Sequence, residues 1–421
     1  MHATSHATPR RRGNGRMALL PLDDILVLDF TKLIAGPLCT QYLGDMGADV
    51  IKIEDRERGD DLRAMPPFVG ADGAIFFCMN RNKRSIALDL KTPEGLDIAL
   101  QLIARADVLV ESYGTGVTER LGIGHVAMRE LNPRLVYCSV SGFGRSGPLG
   151  PRPGFELMMQ AYSGMMMTTG EADSGPLRIG FSPLDQTTGI HAATGIVAAL
   201  RMRDRSGKGS YLETSLFETA LAFMGWHAQA YWMTGALPER PGSGLGSLCP
   251  YQAFMASDGY ILLAVGTDLL WRKFCDAVGL EAYRDDARFR TNPDRVANAA
   301  ETIALVQGVI AARSVDAWME VMSAAGIPAS PVNGIDRALA DPQAAARHML
   351  MDYVHPVGGA MKAVAHPVLF EDKERFVRRP PPLHGEHTEA VLRELGIDDQ
   401  ALEALRRMGA VGVASRQETS P

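Results

Sequence analysis

From Ile25 onward the chain alternates short apolar segments with amphipathic ones, and this alternation constrains the possible folds more than any other feature. The segments ILVLDF, DVIKIE, SIALDL, ADVLVES and LVYCSVSGF have the length and composition of buried strands. Helical segments follow the first and third of them: AGPLCTQYLGDMGA, with Pro37 placed for a first turn, and GLDIALQLIARA, which Thr92 would cap. This order is typical of a doubly wound, largely parallel sheet, so the sequence predicts an α/β fold.

The second half of the chain continues this pattern and then interrupts it. A helix that starts near Asp185 is followed by SYLETSL, a predicted strand, and by FETALAFMGWHAQAYWM, predicted as one long helix. The segment TGALPERPGSGLGSLCP is rich in Gly, Pro and Ser and marks a loop or domain boundary. From Tyr251 to about Ala345 the pattern predicts a smaller α/β unit. DYVHPVGGAMKAVAHPVLF then indicates strands and turns, and HTEAVLRELG a closing helix.

Composition excludes several classes of protein. With 421 residues, 46% hydrophobic and 22% charged, the chain is typical of a soluble protein of two or three domains. A net charge of -6 argues against nucleic acid as a partner, and no apolar run is long enough to cross a membrane. The five cysteines have no metal-binding spacing, so we expect no metal, reduced thiols and a cytoplasmic location. The basic N-terminus has no apolar signal core, and we predict a disordered tail over residues 1–16.

Two segments raise the question of a phosphate-containing ligand. The first strand–helix–strand unit resembles a dinucleotide site, but its turn, TKLIAGPLC, lacks GxGxxG, which disfavours a nicotinamide or flavin. Arg81, Lys83, Arg84 and Lys91 form a basic cluster, with Arg120 further along the chain. Such a cluster is either a solvated face around an edge strand or a phosphate clamp, and the residues alone favour the solvated face.

The glycines Gly242, Gly244 and Gly246 also allow two interpretations. The segment is either a flexible linker or a loop that closes over a ligand, and the linker is the simpler interpretation. The sequence contains no GxSxG, HExxH or P-loop motif, so the usual signals of hydrolases, zinc proteases and kinases are missing.

Asp185 stands at the start of a helix that is otherwise apolar and built from small residues, in FSPLDQTTGIHAATGIVAAL. An aspartate in this place is a favoured helix N-cap. The free N–H groups and the dipole of the same helix end would also keep a reactive carboxylate ionised. On position alone the structural cap is the favoured interpretation, and a nucleophile is the alternative.

Several long segments resemble the family III CoA-transferases, a family that includes formyl-CoA:oxalate and carnitine CoA-transferases and the α-methylacyl-CoA racemases. They are VLDFTKLIAGPLCTQYLGDMGADVIKIE, GDDLR, NRNKRSIALDLKTPEG, ADVLVESYGTGVTERLGIG, NPRLVYCSVSGFG, GFELMMQAYSG and GEHTEAVLRELG. The resemblance extends from Leu19 to about Gly412. It implies a Rossmann-like large domain and a smaller α/β domain, in two protomers that interlock as a homodimer.

On this basis the large CoA-binding domain is placed at residues 17–225 and 346–421, and the small domain with its linkers at 226–345. The resemblance assigns the catalytic aspartate to Asp185 and an assisting acidic residue to Glu156. The implied CoA-contacting residues are Leu33, Ile34, Ala35, Leu88, Lys91, Ser112, Tyr113 and Arg120. A CoA thioester is then a substrate, with a small carboxylic acid as its partner, and no tightly bound cofactor is implied.

The chemistry of CoA transfer agrees with this assignment. A carboxylate that attacks a thioester forms an acyl-aspartyl anhydride and releases CoA thiolate. The acceptor acid then forms its own anhydride on the same aspartate, and CoA returns to make the new thioester. The small residues Gly189, Ala192 and Ala193 would let another backbone or a ligand approach closely. Backbone N–H groups near Ala35 or in the glycine loop would hold the oxyanion.

Two other functions remain as alternatives: a 2-methylacyl-CoA racemase of the same fold, and a CoA-thioester-binding protein without turnover. Where this chain has Gly154-Phe155-Glu156, racemases of the family carry a GHD motif. Phe155 stands in the place of the histidine and cannot carry a proton. Thr267 stands where racemases have a second glutamate. A transferase is therefore favoured.

The substrate is less constrained by the sequence. Ile34 and Ser112 replace the Gln and Asn of formyl-CoA:oxalate enzymes, which disfavours oxalate. LIAGP and SLCPYQAF look more like relatives that use succinyl-CoA and dicarboxylic acceptors. Arg178, Arg240 and His227 are candidates to pair with the distal carboxylate of such an acceptor.

Overall fold

The structure is a computed structural model that describes residues 20–371 and 374–412. The predicted tail over residues 1–16 lies outside the described residues. The strands are β1 Leu26–Phe30, β2 Asp49–Asp55, β3 Phe68–Val69, β4 Asp72–Gly73, β5 Lys83–Leu88, β6 Val108–Glu111, β7 Val136–Ser141, β8 Tyr211–Ser215, β9 Tyr251–Met255, β10 Tyr260–Ala264, β11 Ala329–Pro331, β12 Leu350–His355, β13 Gly359–Val364 and β14 Val411–Gly412.

The helices follow in the same numbering. They are α1 Ala35–Asp45, α2 Ala74–Met79, α3 Pro93–Ile103, α4 Val117–Arg120, α5 His125–Leu131, α6 Glu156–Tyr162, α7 Pro183–Ser206, α8 Leu216–Phe223, α9 Gly225–Thr234, α10 Asp268–Val278, α11 Asn292–Ala297, α12 Ala299–Ile310, α13 Val315–Ala325, α14 Ile335–Ala340, α15 Pro342–Ala346, α16 Thr388–Glu394 and α17 Asp399–Arg407. Among the residues described, no helix is both long and apolar enough to cross a membrane.

The chain divides into two compact units. The first, called the sheet unit below, contains the described residues up to Gly154, Asp185–Leu216 and the described residues from His348 onward. The second unit contains Phe155–Leu184 and Phe217–Arg347. Residues 155–184 and 217–225, which the sequence analysis grouped with the large domain, fall in the second unit. The sequence analysis has the chain re-enter the large domain at residue 346, and in the structure the sheet unit resumes at His348.

A seven-stranded sheet of order β14-β5-β2-β1-β6-β7-β8 forms the centre of the sheet unit. All its neighbouring strands are parallel except β14, which pairs antiparallel with β5. The predicted largely parallel α/β sheet is therefore confirmed. From β1 the chain builds β2 and β5 on one side and β6, β7 and β8 on the other. The strand order thus reverses next to β1, and in open α/β sheets ligands bind at such a reversal, beyond the carboxyl ends of the strands.

Both faces of this sheet are covered by helices. Leu26, Leu28 and Phe30 of β1 pack into a core with α3 and α16, while Val27 packs into a second core with α1 and α7. The side chains of β1 alternate between the faces because successive residues of a strand point to opposite sides. At the start of α3, the Thr92 side chain accepts a hydrogen bond from Gly95 N at 3.1 Å, which confirms the predicted cap.

In the second unit, β9, β10 and β11 form an antiparallel sheet whose core includes Trp271 of α10 and Trp318 of α13. The prediction of one long helix over FETALAFMGWHAQAYWM was wrong. The structure ends α8 at Phe223 and begins α9 at Gly225, with Met224 between them in a non-helical conformation. The break falls next to a glycine, which has a low helix propensity and weakens the helix there.

Candidate active site

Asp185 lies near the start of helix α7, where the chain enters the sheet unit. The helix begins at Pro183, a residue suited to the first position because it has no N–H to leave unbonded. Asp185 is therefore the third residue of the helix and not its N-cap, which corrects the sequence-based prediction. It is half-buried and lies in the first turn, where the backbone N–H groups have no partner within the helix. This end of the helix favours a negative charge.

A close contact between α7 and α1 fixes where Asp185 lies. A Cβ atom on Gly189 would be only 2.5 Å from the carbonyl oxygen of Ala35, the first residue of α1. Further along α7, Ala192 and Ala193 are buried in the same core cluster as Ala35 and Cys39 of α1. Asp185 is four residues before Gly189 and so is on the same face of the helix, one turn nearer its start. Gly189 does allow a close approach of another backbone, as predicted, and Asp185 is one helical turn from this contact with the start of α1.

That turn lies at the reversal of strand order and brings together five of the predicted CoA-contacting residues, Leu33, Ile34, Ala35, Ser112 and Tyr113. Lys32 N donates a hydrogen bond of 3.0 Å to Ser112 Oγ, which joins the ends of β1 and β6. Leu33 N donates to Asp60 Oδ1 at 3.2 Å. Leu33 has φ +65°, a left-handed conformation that disfavours a side chain such as leucine's. The turn is held in this conformation by its hydrogen bonds.

Beyond β6, the backbone of Tyr113 is fixed by an ion pair that the sequence did not reveal. Tyr113 N donates to Glu111 Oε2 at 2.8 Å, and Arg145 donates both to Tyr113 O at 2.6 Å and to Glu111 Oε1 at 2.8 Å. Burial and the Glu111 charge raise the pKa of the Tyr113 phenol to about 12, so it is protonated at neutral pH. An open cavity of about 270 Å³ lies beside this pair, and its lining includes Gly116 and His125.

Most of the basic cluster on β5 has a structural role. The Arg81 guanidinium pairs with Asp45 at 2.6 Å, and Arg84 pairs with Asp49 at 2.6 Å. Lys83 has no solvent exposure. The expectation of a solvated face around an edge strand was wrong, because β5 lies between β2 and β14 inside the sheet. These paired, buried side chains are equally unsuited to clamp a phosphate.

The remaining predicted CoA contacts divide into exposed and buried residues. Lys91, just beyond β5, and Arg120, the last residue of α4, are exposed, and neither is within salt-bridge distance of a carboxylate in the described ranges. Both are available to a phosphate group. The Leu88 side chain is 1% exposed and packs in the core, so a ligand could meet only the main chain of this residue.

In the second unit, Glu156 lies in the first turn of α6. Its Oε1 atom accepts hydrogen bonds from Gln160 Nε2 at 2.7 Å and from Leu184 N at 3.4 Å. Gln160 Oε1 in turn accepts from Ile179 N at 2.9 Å. Glu156 is thus bonded to the segment that leads directly into Asp185, and Gln160, which sequence reasoning missed, holds the same segment.

The glycine loop in the second unit is tied down and is not a free linker. Gly242 N donates to Gly170 O at 2.9 Å. Arg240 donates to three main-chain carbonyl oxygens, those of Glu171, Ala172 and Ser174, at 3.1, 3.2 and 2.7 Å. Arg240 is therefore already engaged with the protein backbone, which weakens its candidacy as a partner for the acceptor acid.

Two buried carboxylates near the β1–α1 turn give a prediction for acid stability. Burial alone would raise the pKa of Asp29, but Lys52, Lys83 and two threonine hydroxyls outweigh it and lower that pKa to about 2. Arg63 likewise outweighs burial and lowers the pKa of Glu54 to about 2. Because these pKa values are depressed in the folded state, the stabilisation is present above pH of about 4 and is lost as the pH falls towards 2.

We expect Asp29 to contribute on the order of 2 kcal/mol at neutral pH. Urea unfolding at pH 6 and pH 3 measures this loss. The variant Asp29→Asn should lose less of its free energy of unfolding between the two pH values than the unmodified protein. An equal loss in both proteins would contradict the prediction.

The comparisons with known proteins agree with this architecture. A sequence model described as CoA-transferase family III matches residues 22–388. The human succinyl-CoA:glutarate CoA-transferase is 35% identical and covers 93% of this chain and 90% of its own. The succinate–glutarate CoA-transferase of Agrobacterium fabrum is 37% identical, over 89% and 96% of the two chains. An acetyl-CoA:oxalate CoA-transferase of Acetobacter aceti is 39% identical, over 79% and 85%.

The structure of a CAIB/BAIF family protein from Brucella suis superposes with a TM-score of 0.82 at 35% identity, and the match covers 89% of this chain and 99% of that one. The range that the family model matches includes both segments around Glu156 and Asp185. The resemblance found in the sequence is thereby confirmed, and this chain belongs to CoA-transferase family III.

Proposed function

We propose that this enzyme moves CoA from an acyl-CoA donor, with succinyl-CoA as the first candidate, to a dicarboxylic acid, and that Asp185 is the nucleophile. The observation that carries the proposal is the contact of Gly189 with Ala35, which sets Asp185 beside the starts of two helices at the reversal of strand order. Three relatives that cover most of the chain are named for transfer to glutarate or oxalate, both dicarboxylates.

The first step is attack by an Asp185 carboxylate oxygen on the thioester carbonyl carbon of the donor. The carbon–sulfur bond breaks, CoA leaves as the thiolate, and a mixed anhydride remains on Asp185. The backbone N–H groups at the start of α1, at Ala35 and Gly36, have no partner within their helix and are suited to hold the oxyanion.

In the second stage the acceptor carboxylate attacks the side-chain carbonyl carbon of Asp185. The donor acid leaves with an oxygen that was part of Asp185, and the acceptor becomes the new anhydride. The CoA thiolate then attacks the acceptor carbonyl carbon, which forms the new thioester and returns Asp185 as a carboxylate. We assign Glu156 the role of holding the chain that enters α7.

A dicarboxylic acceptor requires a cation for its second carboxylate. Of the three candidates, Arg240 is bonded to backbone carbonyls, whereas the exposed Arg178 is not within salt-bridge distance of any described carboxylate. Of the two arginines, Arg178 is therefore the one whose charge is available to a carboxylate. Because a glutarate relative and an oxalate relative are about equally similar, the proposal names the class of acceptor and not its chain length.

The racemase alternative has no support from the residues in question. Phe155 has no titratable group, and the Thr267 hydroxyl is engaged as the N-cap of α10, where it accepts from Leu270 N at 3.2 Å. An acid and a base on opposite faces of an enolate are needed for epimerisation.

The test is incubation of the purified enzyme with pairs of acyl-CoAs and free acids, with new thioesters followed by mass. Succinyl-CoA should give a new thioester with at least one dicarboxylic acid of a panel that includes glutarate and oxalate. Deuterium uptake from solvent into a 2-methylacyl-CoA, with no transfer to any acid, would favour the racemase and sink the proposal.

We also propose that the enzyme is a homodimer. Helix α9 buries none of its side chains within the described chain, and Trp232 and Met233 are 73% and 77% exposed. Large apolar side chains that are exposed together on one helix are typical of a protein–protein interface. Light scattering should give about twice the chain mass of 45.5 kDa. A monomer at micromolar concentration would contradict this prediction.

A further inference from the structure

Four charged side chains are buried beneath the β1–α1 turn, and the mechanism above uses none of them. Asp29, Lys52 and Lys83 have no solvent exposure, and Asp60 has 1%. Two positive and two negative charges balance within the group. We call these four residues the buried tetrad.

The two lysines of the tetrad bond to the backbone on opposite sides of the turn. Lys52 Nζ donates to Thr31 O, just after β1, at 2.8 Å and lies 2.8 Å from Asp60 Oδ2. Lys83 Nζ donates to Pro37 O, in the first turn of α1, at 2.9 Å and to Asp29 Oδ2 at 2.9 Å. The two ammonium groups therefore fix the entry and the exit of the turn.

The two aspartates hold the same segment. Asp29 Oδ1 accepts a hydrogen bond from Thr31 N at 2.9 Å, and Asp60 Oδ1 accepts from Leu33 N at 3.2 Å. The turn is tight, since a Cβ on Gly36 would be 2.3 Å from Thr31 Cβ. Every member of the tetrad is thus bonded both to another member and to the backbone between Thr31 and Pro37.

Stability alone does not account for this arrangement. Burying ammonium and carboxylate groups carries a large desolvation penalty, and well-packed apolar residues of similar volume are often as stable or more so. Apolar side chains, however, could not bond to the carbonyl groups of the turn. A lysine provides three N–H donors, enough to reach a carboxylate and a carbonyl at once.

We propose that Lys52 and Lys83, with Asp29 and Asp60, are positioning residues of the transferase, which hold the Leu33–Ala35 turn at the distance from Asp185 that attack on the thioester requires. The inference rests on the proposed function, because it assigns the turn to the reacting thioester. A displacement of about 1 Å at a reacting centre can lower a rate by roughly 100-fold, so a rigid anchor has a catalytic value.

The test is the double variant Lys52→Met/Asp60→Asn. It removes one charge of each sign, keeps an oxygen that can accept from Leu33 N, and leaves Thr31 O without its ammonium donor. At saturating acyl-CoA and acceptor we expect kcat to fall by about 10-fold. Hydrogen–deuterium exchange should be faster in peptides that cover residues 31–37, while the circular dichroism spectrum remains that of the unmodified enzyme.

The matched control is Arg203→Met/Asp107→Asn. In this pair Arg203 is buried and Asp107 is half-buried, with Arg203 Nη1 2.9 Å from Asp107 Oδ1. The pair lies at the opposite end of β1, where Asp107 Oδ2 accepts from Leu26 N at 2.8 Å. It should lose a similar amount of stability and keep kcat within about twofold. Equal effects of the two double variants on kcat would overturn the proposal.

A second variant keeps the proposal testable if the first does not fold. The single variant Asp60→Asn is a smaller perturbation, because it removes only the charge that lies 2.8 Å from Lys52 Nζ and keeps an oxygen that can accept from Leu33 N. We expect kcat to fall several-fold at saturating substrates, with faster exchange over residues 31–37. No change in either quantity would overturn the proposal. An unmodified enzyme that transfers CoA to none of the acids would instead refute the proposed function.

Discussion

Asp185→Ala is expected to lower the rate of CoA transfer by roughly 1,000-fold or more while the enzyme still binds CoA. The carboxylate is the group that forms the anhydride in the proposed mechanism, so the variant lacks the nucleophile of the first step. The fold should persist, because Asp185 is half-buried and an alanine in the first turn of α7 is a good helix former.

The control for this experiment is Asp204→Ala, at the other end of the same helix, where the side chain is exposed and the transfer rate should not change. Hydroxylamine added during turnover should convert Asp185 to a hydroxamate, detected by mass in the peptide that contains it. If Asp185→Ala retained most of the transfer activity, or Asp185 were never modified in the presence of an acyl-CoA, the anhydride mechanism would be wrong. A protein that only binds CoA thioesters would show no transfer even before substitution.

Gly189→Ala is expected to lower the transfer rate by roughly 100-fold and to destabilise the protein by about 1–3 kcal/mol. The added methyl group would lie 2.5 Å from Ala35 O, a backbone atom that cannot rotate away, so α7 or the start of α1 must move. That movement would change the position of Asp185 relative to the turn, and small displacements at a reacting centre have large effects on rate. Thermal unfolding and kcat measured on the same preparation separate the two effects.

Gly195→Ala, in the same helix, is the matched control. Its added methyl group would meet Leu212 Cδ1 at 2.7 Å, and the end of a leucine side chain can turn aside. Both substitutions raise helix propensity by about 1 kcal/mol, so a difference between them reports on the contact alone. We expect Gly195→Ala to leave kcat nearly unchanged. Equal activity of the two variants would show that the contact with Ala35 does not position Asp185.

The sheet could be predicted because its strands are short, apolar and buried on both faces. All six predicted strands of the first 216 residues occur, in segments such as Leu26–Phe30 and Val136–Ser141, with boundaries that differ by a few residues. The helix predicted across Met224 failed because apolar periodicity continues through the break. Only the local conformation at Met224 and Gly225 ends the first helix there.

For the site, the resemblance named Asp185 and the turn residues, and the structure shows what holds them. The buried tetrad left one signal in the sequence, a charged residue in the middle of an apolar strand. These residues are Lys52 in VIKIE and Asp29 in VLDF. Arg81, Lys83 and Arg84 looked like a solvated cluster because a linear sequence does not show which strands flank β5. Their partners Asp45, Asp29 and Asp49 are 35 to 54 positions away along the chain.

The sequence by itself indicated the α/β class through its local periodicity. Through the resemblance of its long segments, it indicated the family and proposed Asp185 as the nucleophile. Only the tertiary structure decided that Asp185 stands in the first turn of α7, one helical turn from the contact between Gly189 and Ala35. It also decided that Lys52 and Lys83 bond to the turn between β1 and α1. The reason is that a backbone contact or a buried charge pair joins residues far apart in the chain. Its energy depends on distance and burial, which folding alone creates.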